Sequence, residues 1–129
     1  MFKAGDIVQM ATAKDVPAEI RAGYDAPFPD ERYQAGAREF PMLVPISPDN
    51  PASDDNRTAW EVLRHWDKPF LTIFSATDQS FAGAGETFQL QVPGAMGQPH
   101  RTIDNTGHFV PGDLGAELGE ILVNFLDRS

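Results

Sequence analysis

The run Phe70-Leu71-Thr72-Ile73-Phe74 constrains the fold most. A strand with one wet face alternates apolar and polar residues. A nearly continuous apolar run is the pattern of a parallel strand covered on both faces. Parallel strands need long crossovers, usually helical, and the flanks supply them. Ala59, Trp60, Leu63 and Trp66 recur at helical spacing upstream, with Ser53, Asp54 and Asp55 as N-caps and Asp67-Lys68-Pro69 as the stop. Residues 84–90 read as a second helix and residues 100–103 as a second strand. Leu114, Leu118, Ile121, Leu122 and Phe125 mark one face of a last helix, capped by Asp113. Helix, strand, helix, strand, helix is an α/β order whose strands run parallel with a right-handed crossover. Two strands and three helices do not cover so apolar a strand, so further strands are expected beside it, from more chain or from a partner.

The first part of the chain differs. Seven of the eleven prolines fall before residue 52. Ile7 and Met10 share one face of a short helix. Asp15 is expected to cap a brief helix over residues 17–22, with Pro17 tolerated in its first turn. Residues 24–29 should be extended or turned, because a residue before proline avoids the α region. Phe40-Pro41-Met42-Leu43-Val44-Pro45 is apolar but too rich in proline for a central strand. It needs cover from elsewhere.

Charge and composition exclude several classes. A net charge of −9 speaks against nucleic acid and against an anionic membrane surface. No apolar run approaches the ~18 residues of a transmembrane helix, and no signal peptide opens the sequence. The cytoplasm is the expected location. Without cysteine there is no disulfide, thiolate metal site or cysteine nucleophile. His100, Asp104, His108 and Asp113 show no HxH or HExxH spacing, and two of them sit at opposite ends of a strand, so no metal is expected. Gly83-Ala84-Gly85 lacks both a third glycine and a following lysine, so no nucleotide cofactor is expected either. Trp60 and Trp66 read as packing residues, His65 as solvated, and Tyr24 and Tyr33 as packed or solvent-facing.

One pair carries chemistry. In open α/β sheets ligands bind beyond the carboxyl ends of the strands. Asp78 follows the first strand there, and His108 follows the second within Asp104-Asn105-Thr106-Gly107-His108-Phe109. An acid and then a histidine near the C-terminus is the order of the last two members of a hydrolase triad. In such a triad histidine is the base, and the acid holds its Nδ1–H. On spacing alone, a surface aspartate and a loop histidine that never meet stays open. The third member is not found: no Ser, Thr or Asp occupies a G-x-[SD]-x-G elbow, and no His-Gly oxyanion motif occurs.

Several segments share wording with a known family. These are Tyr24-Asp25-Ala26-Pro27-Phe28-Pro29-Asp30, Ala35-Gly36-Ala37-Arg38-Glu39-Phe40-Pro41 and Leu43-Val44-Pro45. They continue with Asn56-Arg57, Ala59-Trp60-Glu61-Val62-Leu63, Lys68-Pro69-Phe70-Leu71 and Gly107-His108-Phe109. Together they resemble the C-terminal portion of the haloalkane dehalogenases, in the α/β-hydrolase superfamily. The resemblance implies residues 1–52 as the end of a helical cap and residues 53–129 as the last two strand–helix units of the core. It implies a two-step displacement, in which an aspartate outside this sequence expels halide from a small hydrophobic substrate. His108 would then activate water, oriented by Asp78, with Phe40 and Pro41 as pocket wall. The chain alone is expected to be inactive. After Phe109 the family often continues Gln-Glu-Asp; here Val110-Pro111-Gly112-Asp113 is expected to change how the last helix begins. An epoxide hydrolase or other α/β-hydrolase portion is the rival enzyme. A non-catalytic product that binds ligands or partners, or self-associates through an unpaired strand edge, is the other alternative.

Overall fold

The computed structural model describes residues 2–128. Its elements run α1 (Ala4–Ala11), α2 (Ala18–Asp25), α3 (Ala35–Glu39), α4 (Ser53–Leu63), β1 (Ile73–Ser75), α5 (Ala84–Gln91), β2 (Arg101–Ile103) and α6 (Val110–Leu126). β1 and β2 pair in parallel, with Ile73 opposite Arg101 and Ser75 opposite Ile103. They form a β-α-β unit around α5. Among the described residues, no helix is long and apolar enough to cross a membrane.

The expected strand over residues 70–74 is shorter and shifted. Its upstream amides take loop partners: the Phe70 N–H donates to Gly94 O at 2.9 Å, and the Thr72 N–H donates to His100 Nδ1 at 3.1 Å, while Thr72 O still accepts the Arg101 N–H of β2 at 3.0 Å. The His100 ring stands where a second strand would present a carbonyl. Since Nδ1 accepts from an amide, Nε2 carries the proton and donates to Ala95 O at 2.8 Å. The ring therefore closes the sheet at its upstream end. Among the described residues, Val92 and Ala95 form the fully buried apolar core. Beside them Phe88 stacks on Trp60 at 5.1 Å and on Phe70 at 5.6 Å, joining α4, the approach to β1 and α5. Trp60 packs as expected. Trp66 does not: it is exposed, with the Lys68 ammonium over its ring.

Helix starts differ from those expected. Pro17, not Asp15, stands at the N-cap of α2. That helix runs through Tyr24 and Asp25, and Ala26 stays in the α region although Pro27 follows. The turn bonds Ala26 N–H to Ala22 O and Phe28 N–H to Asp25 O hold it there. α4 begins at Ser53, but the Ser53 hydroxyl donates to Ser47 O at 2.7 Å and caps nothing. It stops at Leu63 in turns that bond three residues back, before Asp67-Lys68-Pro69 is reached. α6 begins at Val110 with Pro111 in its first turn and is broken at Leu114 (φ −136°, ψ 41°). Asp113 lies inside it and does not cap it. On its expected apolar face Leu122 stays exposed. The segment that needed cover is left largely bare: it forms a 3-10 turn over Phe40–Leu43, with Phe40 75% and Met42 73% exposed.

Candidate active site

β1 delivers the chain to Ala76, Thr77 and Asp78. Asp78 caps the 3-10 turn Gln79–Phe81, its Oδ1 accepting the Ser80 N–H at 2.9 Å. β2 delivers the chain to Thr106, Gly107 and His108 through Asn105, whose left-handed backbone (φ 58°) suits asparagine better than most side chains. The two loops are sewn together beneath the site. The carbonyl of fully buried Thr106 accepts the Ser75 hydroxyl at 2.6 Å and also the Thr77 hydroxyl. With the loops fixed, His108 Nδ1 meets Asp78 Oδ2 at 2.9 Å, across 30 residues of sequence.

The environment divides the pair into acid and base. Burial acts to raise the Asp78 carboxyl; the His108 bond, the Ser80 N–H and the His108 charge outweigh it and hold it below the usual carboxylate value. An ionised carboxylate can only accept, so Nδ1 carries the proton; whenever the ring is neutral, Nε2 is then the nitrogen with the lone pair. Among the described residues Nε2 makes no hydrogen bond. The Asp78 side chain is 10% exposed and that of His108 37%, so the acid is sheltered and the base opens outward. Phe81 lies nearly parallel to the imidazole at 5.5 Å, and Phe109 meets it edge-on at 5.1 Å. An open cleft of about 500 Å³ faces the pair, walled by Ile7, Met10, Gln79 and Ser80. A smaller one of about 250 Å³ lies between the pair and Phe74, Phe81 and Leu118.

Among the expected site residues, Asp78 and His108 come together. Phe40 and Pro41 sit on their own 3-10 turn and border neither cleft. Phe81 was not foreseen. Its signal was position alone: three residues beyond the acid, within one turn. The histidine and acid set weighed for a metal is dispersed. His100 has both ring nitrogens bonded, Asp113 is taken up by backbone N–H groups, and no cluster of three such groups occurs among the described residues.

Asp78 and Asp113 both titrate below the ordinary 3.8 in the folded chain. Their contribution is therefore present above that value and is lost as pH falls through the folded values. Urea midpoints should stay level from pH 7 to about pH 4 and fall steeply below it. Asp113→Asn should flatten that acid limb. An equally steep limb in the variant would assign the acid loss to other groups.

Comparison with known proteins follows the same line. No family model matches the chain. The haloalkane dehalogenase of Mycobacterium marinum is 52% identical over 125 residues, 97% of this chain and 42% of that protein. Haloalkane dehalogenase 1 of Mycobacterium tuberculosis is also 52% identical, over 41% of its length. The haloalkane dehalogenase of Psychrobacter cryohalolentis is 45% identical over the same shares. The chain spans about two fifths of the length of these curated relatives. Across 97% of its residues it is thus similar to haloalkane dehalogenases, the family whose resemblance its own motifs carry.

Proposed function

We infer that the chain is the C-terminal portion of a haloalkane dehalogenase and supplies the water-activating half of its site. The observation that carries this is the 2.9 Å bond from His108 Nδ1 to the sheltered Asp78, with the more exposed His108 ring lining a cleft. Residues 1–52 are then the end of a helical cap, and residues 53–129 the last strand–helix units of an α/β-hydrolase core. The nucleophilic aspartate belongs to the part of the relatives that this sequence does not match. There it attacks the carbon bearing the halogen, the carbon–halogen bond breaks and halide leaves with the electron pair. His108 Nε2 takes a proton from water, the resulting hydroxide attacks the ester carbonyl, and alcohol leaves as the carboxylate is restored. Asp78 stabilises the imidazolium in that step. Phe40 and Pro41, exposed here, would meet substrate only once the rest of the fold stands over them. The free edge of β1 is where that rest would pair, or a second copy in its absence.

The test is halide release from a short bromoalkane. The chain by itself should release none. Produced together with the part of the M. marinum relative that it does not match, it should release halide with turnover. Release by the chain alone, abolished by His108→Ala, would place a nucleophile within these residues. An assembly that opens epoxides and releases no halide would favour the epoxide hydrolase reading.

A further inference from the structure

Asp113 is an acidic residue that this chemistry leaves unused, and it is 4% exposed. A buried carboxylate is costly unless its oxygens are satisfied. Here Oδ2 accepts the Gly107 N–H at 2.7 Å and the Ala13 N–H at 3.0 Å, and Oδ1 accepts the Lys14 N–H at 3.0 Å. The Lys14 ammonium donates to the Asp113 carbonyl, adding a positive charge nearby. Burial acts to raise this carboxyl, and the three N–H groups and Lys14 together hold it low.

The donors come from two distant places. Gly107 immediately precedes His108. Ala13 and Lys14 lie in the link between α1 and α2, some 100 residues away in sequence. The same two segments meet again on the other side of the histidine, where the Phe109 N–H donates to Ala11 O at 3.1 Å. They are so close that a Cβ on Gly107 would overlap the Ala11 carbonyl. His108 therefore stands between two fastenings onto residues 11–14. That link also walls the cleft through Thr12 and Ala13. The Asp113 side chain caps nothing in its own helix, which is broken at the next residue.

We propose that Asp113 is a positioning residue: by binding Gly107, Ala13 and Lys14 at once, it fixes the distance between His108 Nε2 and the α1–α2 wall of the cleft. Naming His108 a base rests on the function proposed above; the fastening does not. Asparagine has the shape of aspartate but one acceptor oxygen for three donors, and an NH2 that must face them.

The test is Asp113→Asn in the 129-residue chain, read by the proton resonances of the His108 and His100 rings. The His108 Nδ1–H resonance should shift or vanish. The His100 Nε2–H resonance, from a separate network, should remain and report an intact fold. An unchanged His108 resonance would overturn the proposal. Should both resonances vanish, hydrogen exchange on the unsubstituted chain decides. The Gly107, Ala13 and Lys14 amides should then exchange slowly as one group, and free-rate exchange at any of them would overturn it. In the active assembly the variant should lose roughly 100-fold in kcat with KM little changed, the scale of a 1 Å misplacement. An unsubstituted assembly without turnover would sink the dehalogenase reading and leave the resonance test standing.

Discussion

On the function proposed above, His108→Gln in the assembly with the missing part is expected to stop steady-state halide release while permitting a single burst of about one halide per site. Glutamine occupies much of the space of histidine but cannot take a proton from water at neutral pH. The first displacement needs no base, since the nucleophile is already a carboxylate. The second step needs one, and general-base assistance contributes roughly 10²–10⁴-fold. The alkyl ester should therefore accumulate, detectable as a covalent mass increase equal to the alkyl group. Asp78→Asn should act in the same direction and less severely. The imidazole would then lose the carboxylate that fixes its tautomer at 2.9 Å and stabilises its charged form. Both should leave the burst intact. Loss of the burst together with turnover would mean that His108 acts in the first step or holds the site together, and the assigned role would fall.

Gly94→Ala should produce the largest change in stability. Gly94 lies in a 3-10 turn, Pro93–Ala95, between α5 and β2. Its N–H donates to Trp66 O at 2.8 Å and its carbonyl accepts from Phe70 N–H at 2.9 Å. A Cβ there would overlap the Lys68 carbonyl oxygen and lie 2.8 Å from its carbon and 3.1 Å from that of Asp67. All three atoms are backbone, so no rotamer change makes room. Separating the segments breaks the two hydrogen bonds and opens the packing around Val92 and Ala95. Overpacking in a rigid place costs about 1–3 kcal/mol and occasionally more; with lost hydrogen bonds the sum should reach about 3 kcal/mol or more. Against a typical total of about 5–15 kcal/mol, that is a large drop in the urea midpoint. Gly119→Ala is the control. A Cβ at Gly119, within α6, meets nothing within 4 Å, so it should stabilise by about 0.5–1 kcal/mol through helix propensity. A Gly94→Ala protein as stable as its parent would show that the two backbones do not touch as described.

Residue type and period made much of this chain legible. The spacing of Leu118, Ile121 and Phe125 showed the body of the last helix, and residues 84–90 nearly its full counterpart in α5. The order of apolar segments implied two parallel strands, and two are paired. Helix starts were not legible, because a capping residue is chosen by geometry. Ser53, Asp15 and Asp113 all have the chemistry of a cap, and none caps its helix. Ser53 is drawn to Ser47 O and Asp113 to three amides. Strand length differs from the apolar run for a related reason. An apolar run says that a segment is covered, not which groups bond it, and at Thr72 the partner is a histidine ring.

The site divides in the same way. By itself the sequence determined which groups could do chemistry and in what order: Asp78, then His108, each just beyond a strand that ends on the same edge. Topology fixes that much, because parallel strands joined by a helix deliver their following loops to one side. Only the tertiary structure decided that the two side chains meet, that one is sheltered and the other open, and that Phe81 lies against the base. Those are matters of a few ångströms between loops, set by Thr106, His108 and Asp113 bonding to residues 30 to 100 positions away. No local periodicity records such bonds.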